Sequence, residues 1–112
     1  YHNPESTERM ATDEDMEEME EIIKIALPTD PAERKEIPVY SGCVNYFPLA
    51  LAAVARLSKK GNDQHNPGTP LHWDRSKSGD ELDAMMRHII DGDWDAVAWR
   101  ALAHLQKIEE NK

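Results

Sequence analysis

The chain has 112 residues, of which 39% are hydrophobic and 31% are charged. This length is typical of one domain with a modest core. No apolar run reaches the roughly 18 residues that a membrane-spanning helix requires, and no charged and then apolar leader opens the chain. The single cysteine, Cys43, excludes an intramolecular disulfide framework and a multi-cysteine zinc site. These features predict a cytoplasmic protein that does not enter a membrane.

The net charge of -9 is concentrated near the N-terminus. Residues 1–21 contain nine acidic side chains and one basic side chain, whereas residues 22–112 contain thirteen acidic and twelve basic ones. An acidic segment of this kind disfavours binding to duplex nucleic acid. It leaves open a function as an adaptor whose acidic arm engages a basic partner protein.

Residues 1–11 lack hydrophobic periodicity and are interpreted as a disordered lead to a single helical domain over residues 12–112. Thr12 is a suitable N-cap, and the acidic residues after it favour the first turn of a helix. Apolar residues recur at spacings of three and four and predict an acidic helix over residues 12–27. Residues 28–45 contain three prolines and are interpreted as a linker.

Three further helices are predicted after this linker. The first covers residues 47–58, with Pro48 in its first turn and Gly61 beyond its end. The second covers residues 79–91 after an N-cap at Ser78, and the third covers residues 94–109. The sequence therefore predicts an all-α fold, a small bundle of about four helices whose last two form a hairpin. Because so small a bundle exposes much apolar surface, we expect a homo-oligomer.

A long polar segment over residues 59–77, with two glycines and two prolines, is predicted as an ordered loop between the second and third helices. Amides and imidazoles can recognise the edge of a base, and glycines allow backbone amides to approach a phosphate. From composition alone, a solvated surface loop is an equal alternative. The candidate substrate-binding residues are Lys59, Lys60, Asn62, Asp63, Gln64, His65, Asn66, His72, Arg75, Lys77 and Arg87.

Carboxylates that could hold magnesium occur in two places. Asp80 and Asp83 are three residues apart, a spacing at which two carboxylates can share Mg²⁺ with a substrate phosphate. The alternative is a solvated helix face with an ion pair between Asp83 and Arg87. The acidic helix contains an E-E-x-x-E pattern like that of MazG-type pyrophosphohydrolases, formed by Glu17, Glu18 and Glu21.

Two side chains near this region have alternative interpretations. His88 is a candidate general base that acts together with Asp83, because an imidazole titrates near neutrality. Trp73 either stacks on a base or fixes the long loop to the core, and the second interpretation is favoured.

The segment from residue 40 to residue 110 resembles a family found mainly in phages, the dATP/dGTP diphosphohydrolases (N-terminal domain). The resemblance centres on residues 46–110 and is carried by G-N-D-Q-H-N-P-G at 61–68, L-H-W at 71–73, R-H at 87–88 and A-W-R-A-L at 98–102. It implies an all-α fold and the metal-dependent release of pyrophosphate from purine deoxynucleoside triphosphates. It points to loop 61–68 and to His72, Arg75, Asp83, Arg87 and His88.

Two main functions therefore follow from the sequence. The first is hydrolysis of a purine (deoxy)nucleoside triphosphate to the monophosphate and pyrophosphate, with magnesium as the cofactor. The second is a module that binds and sequesters a nucleotide, or a signal derived from one, without catalysis.

Overall fold

The computed structural model describes residues 27–75 and 79–112, and these residues form helices and loops without a β-strand. The helices are α1 (Pro31–Lys35), α2 (Pro48–His65), α3 (Glu81–Asp91) and α4 (Trp94–Glu110), with a π-helical turn at Tyr40–Val44. The all-α prediction is confirmed. The predicted acidic helix lies outside the described residues, apart from its last position, and so do Lys77 and Ser78.

The chain divides into two compact units, and the described residues of the first are 27–46 and 68–70. In this unit, the segment predicted as a linker contains α1 and the π-helical turn. Pro31 stands at the start of α1, where a missing backbone N–H costs nothing. The Asp30 carboxylate accepts a hydrogen bond from the backbone N–H of Glu33 at 3.0 Å. Pro31 therefore begins a short helix in a segment whose prolines were interpreted as a sign of a linker.

The second unit, residues 47–67 and 71–112, contains α2, α3 and α4. Helix α2 begins at Pro48 as predicted, but it continues through Gly61 to His65, so the prediction of a loop over residues 59–65 is wrong. One glycine costs a helix only about 1 kcal/mol. Lys59 and Asp63, one turn apart, form an ion pair of 2.7 Å that supports the extra turns. The helix ends before Pro67, since the residue that precedes a proline disfavours helical geometry.

Two glycine substitutions test these helix boundaries. A Cβ atom added at Gly61 would meet no atom within 4 Å, so Gly61→Ala is expected to stabilise the protein by roughly 0.5–1 kcal/mol. Gly92 ends α3 with a φ of 77°, and Gly92→Ala is expected to destabilise by about 1 kcal/mol. Urea unfolding measures both changes. Destabilisation by Gly61→Ala would contradict the extended α2.

Helix α4 packs against both α2 and α3. The buried apolar side chains of the described residues are small, namely Ala84 of α3 and Ala96 and Ala103 of α4. A buried ion pair joins the ends of the hairpin, since Lys107 Nζ lies 2.6 Å from Glu81 Oε1. The α3–α4 hairpin thus has small residues along its seam and one ion pair at its open end.

Among the described helices, none is by itself long and apolar enough to cross a membrane. Residues 31–44 and 48–65 reach the required length and composition only when they are taken together.

Candidate functional site

An open cleft of about 380 Å³ lies in the second unit, beside the C-terminal half of α2 and the middle of α4. Polar and aromatic side chains from three segments line it. The end of α2 contributes Gly61, Asn62, His65 and Asn66, the following loop contributes His72, Trp73 and Asp74, and α4 contributes Trp99 and Arg100.

Two tryptophans form the apolar wall of the cleft. The indole Nε1–H of Trp99 donates a hydrogen bond of 2.7 Å to Ser58 Oγ, which connects α4 to α2. The Trp73 ring meets the Trp99 ring nearly perpendicularly, with centroids 5.8 Å apart. Trp73 therefore lines the cleft and also holds the loop against α4, in agreement with the favoured interpretation of this residue.

Arg75 fastens the same loop to the end of α4. Its guanidinium donates to both carboxylate oxygens of Glu110, at 2.5 and 3.0 Å, and lies 4.2 Å from the Trp73 ring centroid. These donors, together with Gln106, hold the pKa of the Glu110 carboxyl below its usual value. Arg75 was predicted to bind phosphate, but its planar group is engaged within the chain, and its role in this structure is to position the loop.

Four of the predicted substrate-binding residues meet in the cleft. His65 and Asn66 stand three and four residues after Asn62, and His72 reaches the same cleft from the loop. The Asn62 side chain is deepest, with 7% of the residue exposed, whereas His65 and His72 are exposed to solvent. The end of a helix presents Asn62, His65 and Asn66, and not the predicted glycine-bracketed loop.

Arg100 is the basic residue of the cleft, and the sequence interpretation missed it. It is half-buried, and its guanidinium carbon lies 5.4 Å from the Trp99 ring centroid. After the hydrogen bonds from Arg87 and Lys107, the charge of this guanidinium also lowers the pKa of Asp80 and of Glu81. The sequence did contain a signal for Arg100. It lies four residues after Ala96 and three before Ala103, and residues at these spacings share one face of a helix.

Other predicted binding residues lie outside the cleft. Lys59 and Asp63 pair with each other, Lys60 and Gln64 are exposed on α2, and none of the four lines the cleft. Arg87 Nη2 donates to Asp80 Oδ2 at 3.0 Å and not to Asp83, so the predicted Asp83–Arg87 pair is wrong. Asp80 stands at the N-cap of α3, and Arg87 reaches back to it along the helix.

Of the predicted magnesium ligands, Asp80 and Asp83 belong to the described residues. No group of three His, Cys, Asp or Glu side chains in the described ranges is arranged to hold a metal ion. The hydrogen bond from Arg87 lowers the pKa of Asp80, and the one from Lys107 lowers the pKa of Glu81. These two carboxylates thus already face cations; Asp80 and Asp83 are exposed, whereas Glu81 is buried. Glu17, Glu18 and Glu21 lie outside the described residues.

His88 lies at the turn of the hairpin and not in the cleft. Its Nδ1 is 3.3 Å from Asp93 Oδ2, and neither residue lines the cleft. Asp93 occupies the N-cap position of α4, but its carboxylate makes no capping hydrogen bond. His88 therefore makes a contact at the hairpin turn, and its predicted role as a general base stays a prediction.

No family model, no curated protein and no solved structure matches this chain.

Proposed function

We propose that this protein binds a purine nucleotide in the cleft between α2 and α4. The observation that carries the proposal is Arg100, a half-buried guanidinium that lines the cleft beside the Trp99 ring. The planar fork of an arginine matches two phosphate oxygens at once and forms charge-assisted hydrogen bonds with them. A phosphate of the ligand is therefore the expected partner of Arg100.

The rest of the cleft suits the nucleoside part of such a ligand. Its volume of about 380 Å³ falls in the range of small-molecule sites, which combine an apolar wall with a few polar groups. Trp99 supplies the wall, and asparagine amides such as that of Asn62 can pair with the adjacent acceptor and donor of an adenine edge. The imidazoles of His65 and His72 add further hydrogen-bonding groups at the rim.

Sequestration without turnover is the form of the proposal that the described residues favour. Pyrophosphate release from a triphosphate needs a divalent metal and free carboxylates to hold it, whereas Asp80 and Glu81 already pair with Arg87 and Lys107. The resemblance to the dATP/dGTP diphosphohydrolases supports purine deoxynucleoside triphosphates as the first ligands to test. Hydrolysis stays a prediction for the full chain, in which Glu17, Glu18 and Glu21 are the remaining candidate ligands.

Titration calorimetry and thermal shift with dATP and dGTP test the proposal, with and without Mg²⁺. A bound nucleotide is expected to raise the melting temperature. Arg100→Gln is expected to weaken binding by about 10- to 100-fold, the value of a hydrogen bond to a charged group. Arg56 is the matched control, because it is an exposed arginine of α2 outside the cleft. Arg56→Gln should leave the affinity unchanged.

The ligand recovered after denaturation separates the two activities. Intact triphosphate supports sequestration, whereas monophosphate and pyrophosphate identify an enzyme. Equal weakening by Arg100→Gln and Arg56→Gln would show that only the general charge attracts nucleotides and would overturn the cleft as the site.

A further inference from the structure

Both helices of the α3–α4 hairpin expose large apolar side chains that do not line the cleft. On α4 the exposed residues include Trp94 at 65%, Leu105 at 53% and Ile108 at 43%. On α3 they include Met86 at 55% and Ile90 at 77%. Side chains of this size are expensive to leave in water, at about 25 cal/mol for each Å² of apolar surface. A surface with so many of them in one place indicates an interface.

On α4, helical spacing places the exposed apolar residues away from the side on which Trp99 contacts Ser58 of α2. Ala96 and Ala103 of α4 are buried where that helix packs against α2 and α3. Trp94, Leu105 and Ile108 lie on the opposite face of α4, since each is about half a turn out of phase with the buried alanines. The hairpin is therefore one layer of a helical fold, with α2 covering one side and the other side open.

We propose that a second copy of this chain covers the open face, so that two hairpins form a four-helix bundle across a two-fold axis. The pattern on α4 is self-complementary. Ala101 lies seven residues after Trp94 and seven before Ile108. With the axis at Ala101, two antiparallel α4 helices approach closely at the small residue. The bulky Trp94 of each copy then packs against Ile108 of the other, as an isologous contact requires.

The exposed apolar area of the hairpin is large enough for an interface with a second copy. Eight large apolar side chains of α3 and α4 are exposed, namely Leu82, Met86, Ile89, Ile90, Trp94, Leu102, Leu105 and Ile108. At on the order of 100 Å² each, they supply roughly the 800 Å² per partner of a stable interface. The three buried alanines make a small core for the described residues, and pairing the hairpins adds the missing apolar layer.

Light scattering on the full chain tests the pairing. The wild type is expected at twice the chain mass of 12.8 kDa, and Leu105→Glu is expected at the single mass with unchanged helical circular dichroism. Leu49→Glu is the control, because Leu49 of α2 is 84% exposed and lies off this face. It should stay dimeric. A monomeric wild type would overturn the proposal and would leave another occupant, such as residues 12–27, to be tested for this face. A dimeric Leu105→Glu would also overturn the proposal.

Disulfide trapping locates the axis without disturbing the fold. Cys43 is the single cysteine of the chain, so Cys43→Ser provides a background without thiols. Ala101→Cys in this background is expected to form a covalent dimer on oxidation, whereas Ala55→Cys, at an exposed position of α2, should remain uncrosslinked. Equal crosslinking of the two variants would overturn the placement of the axis. Neither readout depends on nucleotide, so failure here is distinct from failure of the proposed function.

Discussion

Replacing Lys107 by methionine is expected to destabilise the protein by about 2 kcal/mol. Lys107 Nζ lies 2.6 Å from Glu81 Oε1, and the Glu81 side chain is 8% exposed. Removing one partner of a buried ion pair leaves the other charge uncompensated, which costs about 3–5 kcal/mol in a fully buried pair. The cost here is smaller, because the Lys107 side chain is 29% exposed. Urea unfolding at pH 7 measures the change.

This contribution should disappear in acid. The hydrogen bond from Lys107 lowers the pKa of Glu81, so the folded protein takes up a proton at this carboxyl less readily than the unfolded chain does. The stability that Glu81 supplies is therefore present above the ordinary glutamate pKa and is lost as the pH falls through the lowered value. The difference between wild type and Lys107→Met should shrink over that acidic interval.

Lys112→Met is the matched control for Lys107→Met. Lys112 pairs with Glu109 near the same end of α4, but the two side chains are 68% and 54% exposed, and exposed pairs contribute little. Adding Glu81→Gln to Lys107→Met should restore most of the lost stability, because the buried charge is then gone. Equal stability of Lys107→Met and Lys112→Met would show that the Lys107–Glu81 ion pair does not stabilise the hairpin.

Helices α3 and α4 were predicted within two residues of their observed ends, because their signals are local. Apolar residues repeat at helical spacing, and Gly92 ends α3 with the left-handed backbone that glycine tolerates. The end of α2 was predicted wrongly because Gly61 was interpreted as a stop. The helical preference of the residues around Gly61, with the Lys59–Asp63 pair, outweighs the cost of one glycine.

The candidate site was predictable only in part. Asn62, His65 and His72 stood out as polar groups close together in sequence, and the fold brings them to one cleft. Arg100 and Trp99 come from α4; the spacing of Arg100 from the alanines indicates its helix face, but only the packing of α4 on α2 brings the two residues to the cleft. The sequence also did not show that Arg87 pairs with Asp80 and not with Asp83.

Trp99→Ala is expected to cost about 3 kcal/mol, at the lower end of the range for truncating a large aromatic side chain. Trp99 is half-buried between α2 and the loop, where its ring meets Trp73 and its Nε1–H donates to Ser58 Oγ. Ser58→Ala removes only the acceptor and is expected to cost about 1 kcal/mol, the net value of one hydrogen bond. The difference between these two losses of stability measures the packing of the indole. Urea unfolding measures both losses.

Leu49→Ala supplies the reference for Trp99→Ala, because Leu49 is a large apolar residue of α2 that is 84% exposed. Its loss should change stability by no more than about 0.5 kcal/mol. If Trp99→Ala were no more costly than Leu49→Ala, the indole would not join α4 to α2, and the cleft would lack the wall that fixes its shape. A large cost for Trp99→Ala with a small one for Ser58→Ala would assign the junction to packing. Such a junction keeps Arg100 next to Asn62 and His65 even when the hydroxyl is absent.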